Sequence, residues 1–150
     1  MASSVDIASR IFSLYKEQNH CTIDEMKLHK LLYFAQKESM VRYNEPLFNE
    51  NFEAWKYGPV LKSIRSYYKN HLFPDFFEAL DNKIEEIIAY VLEKYGIMSS
   101  WALSDISHEE ICWNNARKGL PKNANCNSEI SIMDMKLDVK LEQLLRAKEK

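Results

Sequence analysis

His108 and Cys112 stand four residues apart, the spacing that places two metal-binding side chains on one face of a helix. Zinc requires four protein ligands, or three and a water, and His20 and Cys21 form only a sequence-adjacent pair elsewhere in the chain. No metal site is expected. Covalent catalysis would need a nucleophile, a base and an orienting acid. The serines fall mostly at helix starts, where capping accounts for them, and there is no Gly-x-Ser-x-Gly, no Gly-rich phosphate loop and no His-Glu-x-x-His. Cys112, beside Trp113, reads as a small apolar packing residue. The chain is therefore not expected to be an enzyme or to hold a cofactor.

Binding chemistry has better material. Lys62, Arg65, Tyr67, Tyr68 and Lys69 follow one another closely enough to make a nucleic-acid surface, but they equally fit a solvated amphipathic helix. The net charge of −2, from 20 basic and 22 acidic residues, makes nucleic acid an unexpected partner. Trp55, Tyr57, Trp101 and Trp113, with Arg117 four residues after Trp113, are the residue types that anchor protein interfaces. The same types also fill cores, so each keeps both readings. Three cysteines, and no secretory leader in the first residues, point to reduced thiols and a cytoplasmic location. No stretch approaches the roughly 18 apolar residues of a membrane span, so membrane insertion is not expected.

These residues must be positioned by one domain spanning 1–150, a length that supports one core. The pattern predicts a mainly α fold: about six helices around a central apolar helix at about 22–43, with a short β element near 48–56. Ser3 and Asp6 cap the first helix. Thr22 and Glu25 form a capping box for the central one, whose Leu28, Leu31, Leu32 and Ala35 share a face widened by Tyr33 and Phe34. Pro46 ends it. Phe48, Phe52 and Ala54 alternate with Glu53 and Trp55 as a strand would. Gly58-Pro59 is expected to start a third helix. The aromatic turn Leu72 to Phe77 is expected to cover the core. Asp81 caps a fourth helix that closes at a left-handed Gly96. After a short helix at 99–105, Ser107 and Glu110 form another capping box for a helix running to about Lys118. A last helix turns Met133, Leu137, Leu141 and Leu144 inward. The strand needs a partner for its backbone groups: either Glu129 to Ile132, or a second copy of the chain in a homo-oligomer.

Three stretches in order resemble the Panacea domain, the phage-associated GepA-like family whose members include the SocA proteolysis adaptor. They are Lys27-Leu28-x-Lys30-Leu31-Leu32-Tyr33-Phe34-Ala35-Gln36; Leu47-Phe48 with Phe52 to Val60; and Leu103-Ser104 with His108, Trp113 and Arg117. The likeness runs over about residues 5 to 145. It implies an antitoxin of a phage or bacterial toxin–antitoxin system, which neutralises a toxin protein by direct protein–protein binding. The toxin would be encoded nearby. The alternatives are an adaptor that delivers the toxin to a protease, and a DNA-binding regulator. The family pattern falls on Lys27, Lys30, Glu53, Trp55, Tyr57 and Arg117, whose polar handles could surround a partner groove. It also falls on Leu31, Ala35, Gly58, Pro59, His108 and Trp113, expected as structural positions.

Overall fold

Helix α2 (Glu25–Tyr43) is the axis of the structure, a computed structural model that describes residues 2–149. Leu28, Leu31, Leu32, Tyr33 and Ala35 are fully buried on it, and polar residues are buried there too. A helix covered over most of its circumference must be packed from several sides. Around α2 lie α1 (Ser4–Asn19), α3 (Lys62–Lys69), α4 (Asn82–Tyr95), α5 (Ser100–Ser107), α6 (Ile111–Ala116) and α7 (Lys136–Lys148). The described residues thus hold seven α-helices where about six were expected. A 3-10 turn, Met133–Met135, leads into α7. None of these helices is long and apolar enough to cross a membrane.

The ends of α2 show how local chemistry sets boundaries. Asp24, not Thr22, caps it, its carboxylate accepting from the Lys27 N–H at 2.8 Å. A carboxylate bonds the free amides and also complements the positive helix end. The helix closes at Asn44, which takes the left-handed conformation (φ 55°) just ahead of Pro46. Ser3 and Asp81 cap α1 and α4. Gly96 ends α4 with a right-handed φ of −62°, not a left-handed one.

The β element is a three-stranded antiparallel sheet in the order β2-β1-β3, from β1 (Phe52–Trp55), β2 (Gly58–Val60) and β3 (Glu129–Ile130). Phe52 pairs with Ile130 and Glu53 with Glu129, so the strand finds its partner within the chain. Gly58-Pro59 does not start a helix. Trp55 pairs with Gly58 and Ala54 with Pro59, making a tight hairpin around Lys56 and Tyr57, and α3 begins only at Lys62. Proline is tolerated here because β2 is an edge strand.

Three further expectations change. Ser107 and Glu110 do not form a capping box: the Ser107 hydroxyl donates to the Ser104 carbonyl, and the Glu110 carboxylate is drawn to Tyr33 and Lys37. The chain breaks between α5 and α6, and Asp138 of α7 caps α6 from outside, accepting from Ile111 N–H at 2.7 Å and Cys112 N–H at 2.9 Å. Asp138→Ala is therefore expected to cost about 2 kcal/mol, two orphaned buried amides replacing two charge-assisted bonds. Thermal unfolding should show it as a fall of about 4–8 °C in Tm. In the aromatic turn only Phe73 packs inward, stacked on Phe12 at 5.2 Å, while Phe76 is exposed. Across the 3-10 turn and α7 the inward residues are Met135, Asp138 and Val139; Met133, Leu137, Leu141 and Leu144 face outward with Leu145. Arg146, bonded to Glu38 at 2.7 and 2.9 Å, Gln143, donating to Val41 O at 3.1 Å, and Asp138 fasten α7 to the body. Polar anchors, not the leucine stripe, decide which face of this helix turns in.

Candidate functional site

The hairpin β1–β2 is gripped through its backbone carbonyls. Arg117 donates to Ala54 O at 2.9 Å, Trp113 Nε1 to Trp55 O at 2.8 Å, Ser104 Oγ to Tyr57 O at 2.8 Å, and Lys30 Nζ to Pro59 O at 3.3 Å. These donors come from α2, α5, α6 and the residue that ends α6. A hairpin of this size is marginal by itself; the clamp holds its tip in one place. The His108 ring stacks on Trp113 at 4.2 Å, and the Arg117 guanidinium lies over the same indole at 4.7 Å. Burial holds the His108 ring below its ordinary pKa.

Beside the clamped tip opens a cleft of about 870 Å³ between the hairpin, α2, α3 and the segment 125–127. Its volume falls in the range of ligand pockets, about 300–1,000 Å³. Trp55 and Tyr57 supply aromatic walls; Lys30, Lys56 and Arg65 supply cations, and Glu25 the carboxylate. The Arg65 guanidinium lies 4.9 Å over the Trp55 ring and donates to Glu25 at 3.0 Å. Stacking and pairing together fix both side chains.

Glu25 is also bonded to His29 Nε2 at 3.0 Å, while His29 Nδ1 lies 3.3 Å from the Leu61 N–H. An N–H pointing at Nδ1 makes that nitrogen the acceptor, so Nε2 carries the proton and the ring is neutral. Burial, which lowers the His29 pKa, agrees with this. Burial alone would raise the Glu25 carboxyl, but the His29 bond and the Arg65 charge bring it below its ordinary value. Lys30 is only 1% exposed, and burial pushes its pKa down to about 7 against the pull of Glu25 and Asp24.

The family-pattern residues divide by place. Lys30, Trp55 and Tyr57 line the cleft. Lys27 does not: it is buried under α4, donating to Gly96 O at 3.0 Å and to Tyr15 Oη at 3.2 Å. Its ammonium meets the carbonyl end of that helix, where the dipole favours a cation. Glu53 stands behind the cleft, accepting from Trp55 Nε1 at 2.7 Å. Arg117 is buried among the carbonyls of Ala54, Pro121, Lys122 and Ala124. Leu31 and Ala35 are core; Gly58 and Pro59 form β2; His108 and Trp113 stack behind the hairpin. Glu25, His29, Lys56 and the 125–127 segment were not singled out as site residues from the sequence, and Arg65 was named only in the candidate nucleic-acid surface. Glu25 reads there as a capping residue and Arg65 as one cation on an amphipathic helix; only the fold brings them to one wall.

Two exposed aromatics extend the surface. Tyr57 is 43% and Trp101 61% exposed, and their rings meet edge to face at 5.3 Å. Among the described residues, no group of three or more His, Cys, Asp or Glu side chains could hold a metal ion. His108 and Cys112 part company: Cys112 turns to the Tyr33 hydroxyl at 3.1 Å and its thiol is pushed up by burial.

A family model described as "Antitoxin SocA-like, Panacea domain" matches residues 28–114, from α2 through α6 and so including the hairpin and most of the cleft. Over 38 residues the chain is 53% identical to Antitoxin SocA of Caulobacter vibrioides (strain NA1000 / CB15N), a stretch covering 25% of this chain. The matched stretch spans 20% of that curated relative's length. No solved structure matches.

Proposed function

Because the chain belongs to the SocA-like Panacea antitoxin domain family, we propose that it neutralises a toxin protein by holding it directly against the hairpin tip and cleft. The observation that carries this reading is the clamp: four backbone carbonyls of one short hairpin are each taken by a side chain. The tip thereby presents Trp55 and Tyr57 in a fixed orientation, with Trp101 beside them. Rigid aromatics bordered by cations are the residue types from which interface hot spots are made. Preorganisation also removes part of the ordering cost of association. Inhibition follows from occlusion, the bound domain covering the toxin's active or target-binding surface. It is a cytoplasmic binding role with no chemical step.

The test is co-expression with the protein encoded next to this chain. Relief of that neighbour's toxicity, with its abundance unchanged and a complex recovered, supports the reading. Undiminished toxicity in the presence of folded chain overturns it for that pair. A neighbour that is instead degraded, and restored when the protease is deleted, marks the adaptor route and overturns neutralisation by occlusion.

Tyr57→Ala is expected to weaken the complex tenfold or more, the usual cost of truncating an aromatic anchor being about 1.5–3 kcal/mol. Its Tm should move by no more than about 4 °C, because an exposed ring gives up little buried area. Trp55→Ala should weaken binding as strongly but also lower stability, since it releases Glu53 and removes the support under Arg65. Calorimetric titration and thermal unfolding of the same preparations separate the two effects.

A further inference from the structure

Lys30 is the buried cation with the least to hold. Its Nζ makes one hydrogen bond, 3.3 Å to Pro59 O, and among the described residues this is its only acceptor. An ammonium has three protons to place, and leaving them unmet in a buried site is costly. The neighbouring buried and half-buried cations are better supplied. Lys27 has a carbonyl and a hydroxyl, Lys37 both oxygens of Glu110, and Arg117 four carbonyls. Glu25, whose Oε2 takes both His29 and Arg65, makes no ion pair with Lys30.

The fold nevertheless keeps room for this group. Gly58 passes so close that a Cβ there would lie 2.5 Å from Lys30 Cε. The side chain is therefore held against the hairpin and lines the cleft together with Trp55, Tyr57 and His29. A buried, under-coordinated ammonium lining a cleft is a receptor in search of an anion.

We propose that Lys30 is the receptor for a carboxylate: an Asp or Glu side chain of the toxin enters the cleft between Trp55 and Tyr57 and completes the hydrogen bonding of the Lys30 ammonium. The inference rests on the antitoxin reading above and names the chemistry of its contact. A carboxylate fits better than a phosphate for two reasons. One ammonium with two idle protons matches a monoanion, and a dianion would also stand against Glu25 on the same wall. Trp55, Tyr57, Met26 and Val60 make the cleft's flanks apolar, which suits a side chain delivered by a protein surface. Once the partner closes over it, the pair is desolvated, where a charge-assisted bond is strongest and loss of one member most damaging.

The experiment uses the full chain and the neighbouring-gene toxin in an inactive form. Affinity is measured for wild type and Lys30→Met, and each toxin Asp and Glu is changed to Asn or Gln in turn. Lys30→Met is expected to fold, with a Tm lowered by no more than about 4 °C as the orphaned Pro59 carbonyl is partly offset by loss of a buried ammonium, while weakening the complex at least thirtyfold. One toxin carboxylate should weaken the wild-type complex tenfold or more yet have no further effect with Lys30→Met, the non-additivity of a contacting pair. Unchanged affinity of Lys30→Met, or no toxin carboxylate that couples to it, overturns the inference while leaving the antitoxin reading intact. Absence of any complex with wild type overturns the reading itself. Should Lys30→Met fail to fold, the carboxylate scan against the wild-type chain decides, and a scan in which no change reaches tenfold overturns the inference. The free chain is also titrated with inorganic phosphate and acetate. Micromolar phosphate binding that Lys30→Met abolishes would assign the cleft to a small anion instead and overturn the proposal.

Discussion

Arg117→Ala is expected to lower the stability of the free chain by about 4 kcal/mol, a fall of about 8–16 °C in Tm for a domain of this size. The guanidinium bonds the carbonyls of Ala54, Pro121, Lys122 and Ala124, at 2.9, 3.5, 3.1 and 2.5 Å. Its side chain is buried over Trp113. Alanine would orphan acceptors on β1 and on the 121–124 loop together and remove the cover of the indole. The Ala54 carbonyl is buried, and without a donor it costs more than the bond it loses, because water no longer reaches it. Arg117→Lys should recover only a small part, since an ammonium cannot span acceptors laid out for a planar fork. Thermal unfolding followed by circular dichroism checks this directly. A chain that keeps its Tm with Arg117→Ala, but loses its partner, would instead make Arg117 an interface residue.

Gly58→Ala is the second large effect, expected to destabilise by about 3 kcal/mol. The backbone there has φ +117°, a conformation that L side chains rarely adopt, which costs about 1–3 kcal/mol. The added Cβ would also lie 2.5 Å from Lys30 Cε and closer still to Ser107 Oγ, and overpacking a filled site costs about 1–3 kcal/mol more. The two contributions can be separated. Adding Ser107→Ala to Gly58→Ala relieves one contact, so part of the Tm should return while the backbone cost stays. Full recovery in the double variant would show that crowding alone makes glycine necessary.

The central helix was legible because its evidence is local and redundant: apolar spacing from Leu28 to Ala35, about two turns, and a proline that ends it. Even there, Thr22 and Asp24 compete for the cap within three residues, and periodicity cannot decide between them. The strand at 52–55 was legible from alternation, and the need of a strand for a neighbour left two partners open, 129–132 or a second copy, between which the fold decides for 129–130. Gly58-Pro59 misled because the same dipeptide opens helices and closes hairpins. What separates the two outcomes is Lys30 and Ser104 waiting for the hairpin's carbonyls, from residues 47 and 29 positions away at the Tyr57–Ser104 and Lys30–Pro59 contacts. The cleft was visible only in part for the same reason. Aromatic content flagged Trp55 and Tyr57, but the Glu25–His29–Arg65 wall is assembled across α2 and α3 and leaves no sequence signature. The α7 stripe shows the converse: leucines at helical spacing define a face, and only the anchors Asp138 and Arg146 say which way it turns.

The hairpin's second strand limits how this domain can associate. A sheet edge ordinarily offers an incoming strand alternating amides and carbonyls, the template on which peptides are captured or copies polymerise. At the middle of β2 that template is broken. Pro59 has no amide proton to give, and its carbonyl is already occupied by Lys30. Strand-by-strand growth from this edge is blocked by the same residue that ties the hairpin to the central helix. If the proposed partner docks at this edge, it meets side chains and not a free backbone, so exchanging surface residues would change the partner without rebuilding the sheet.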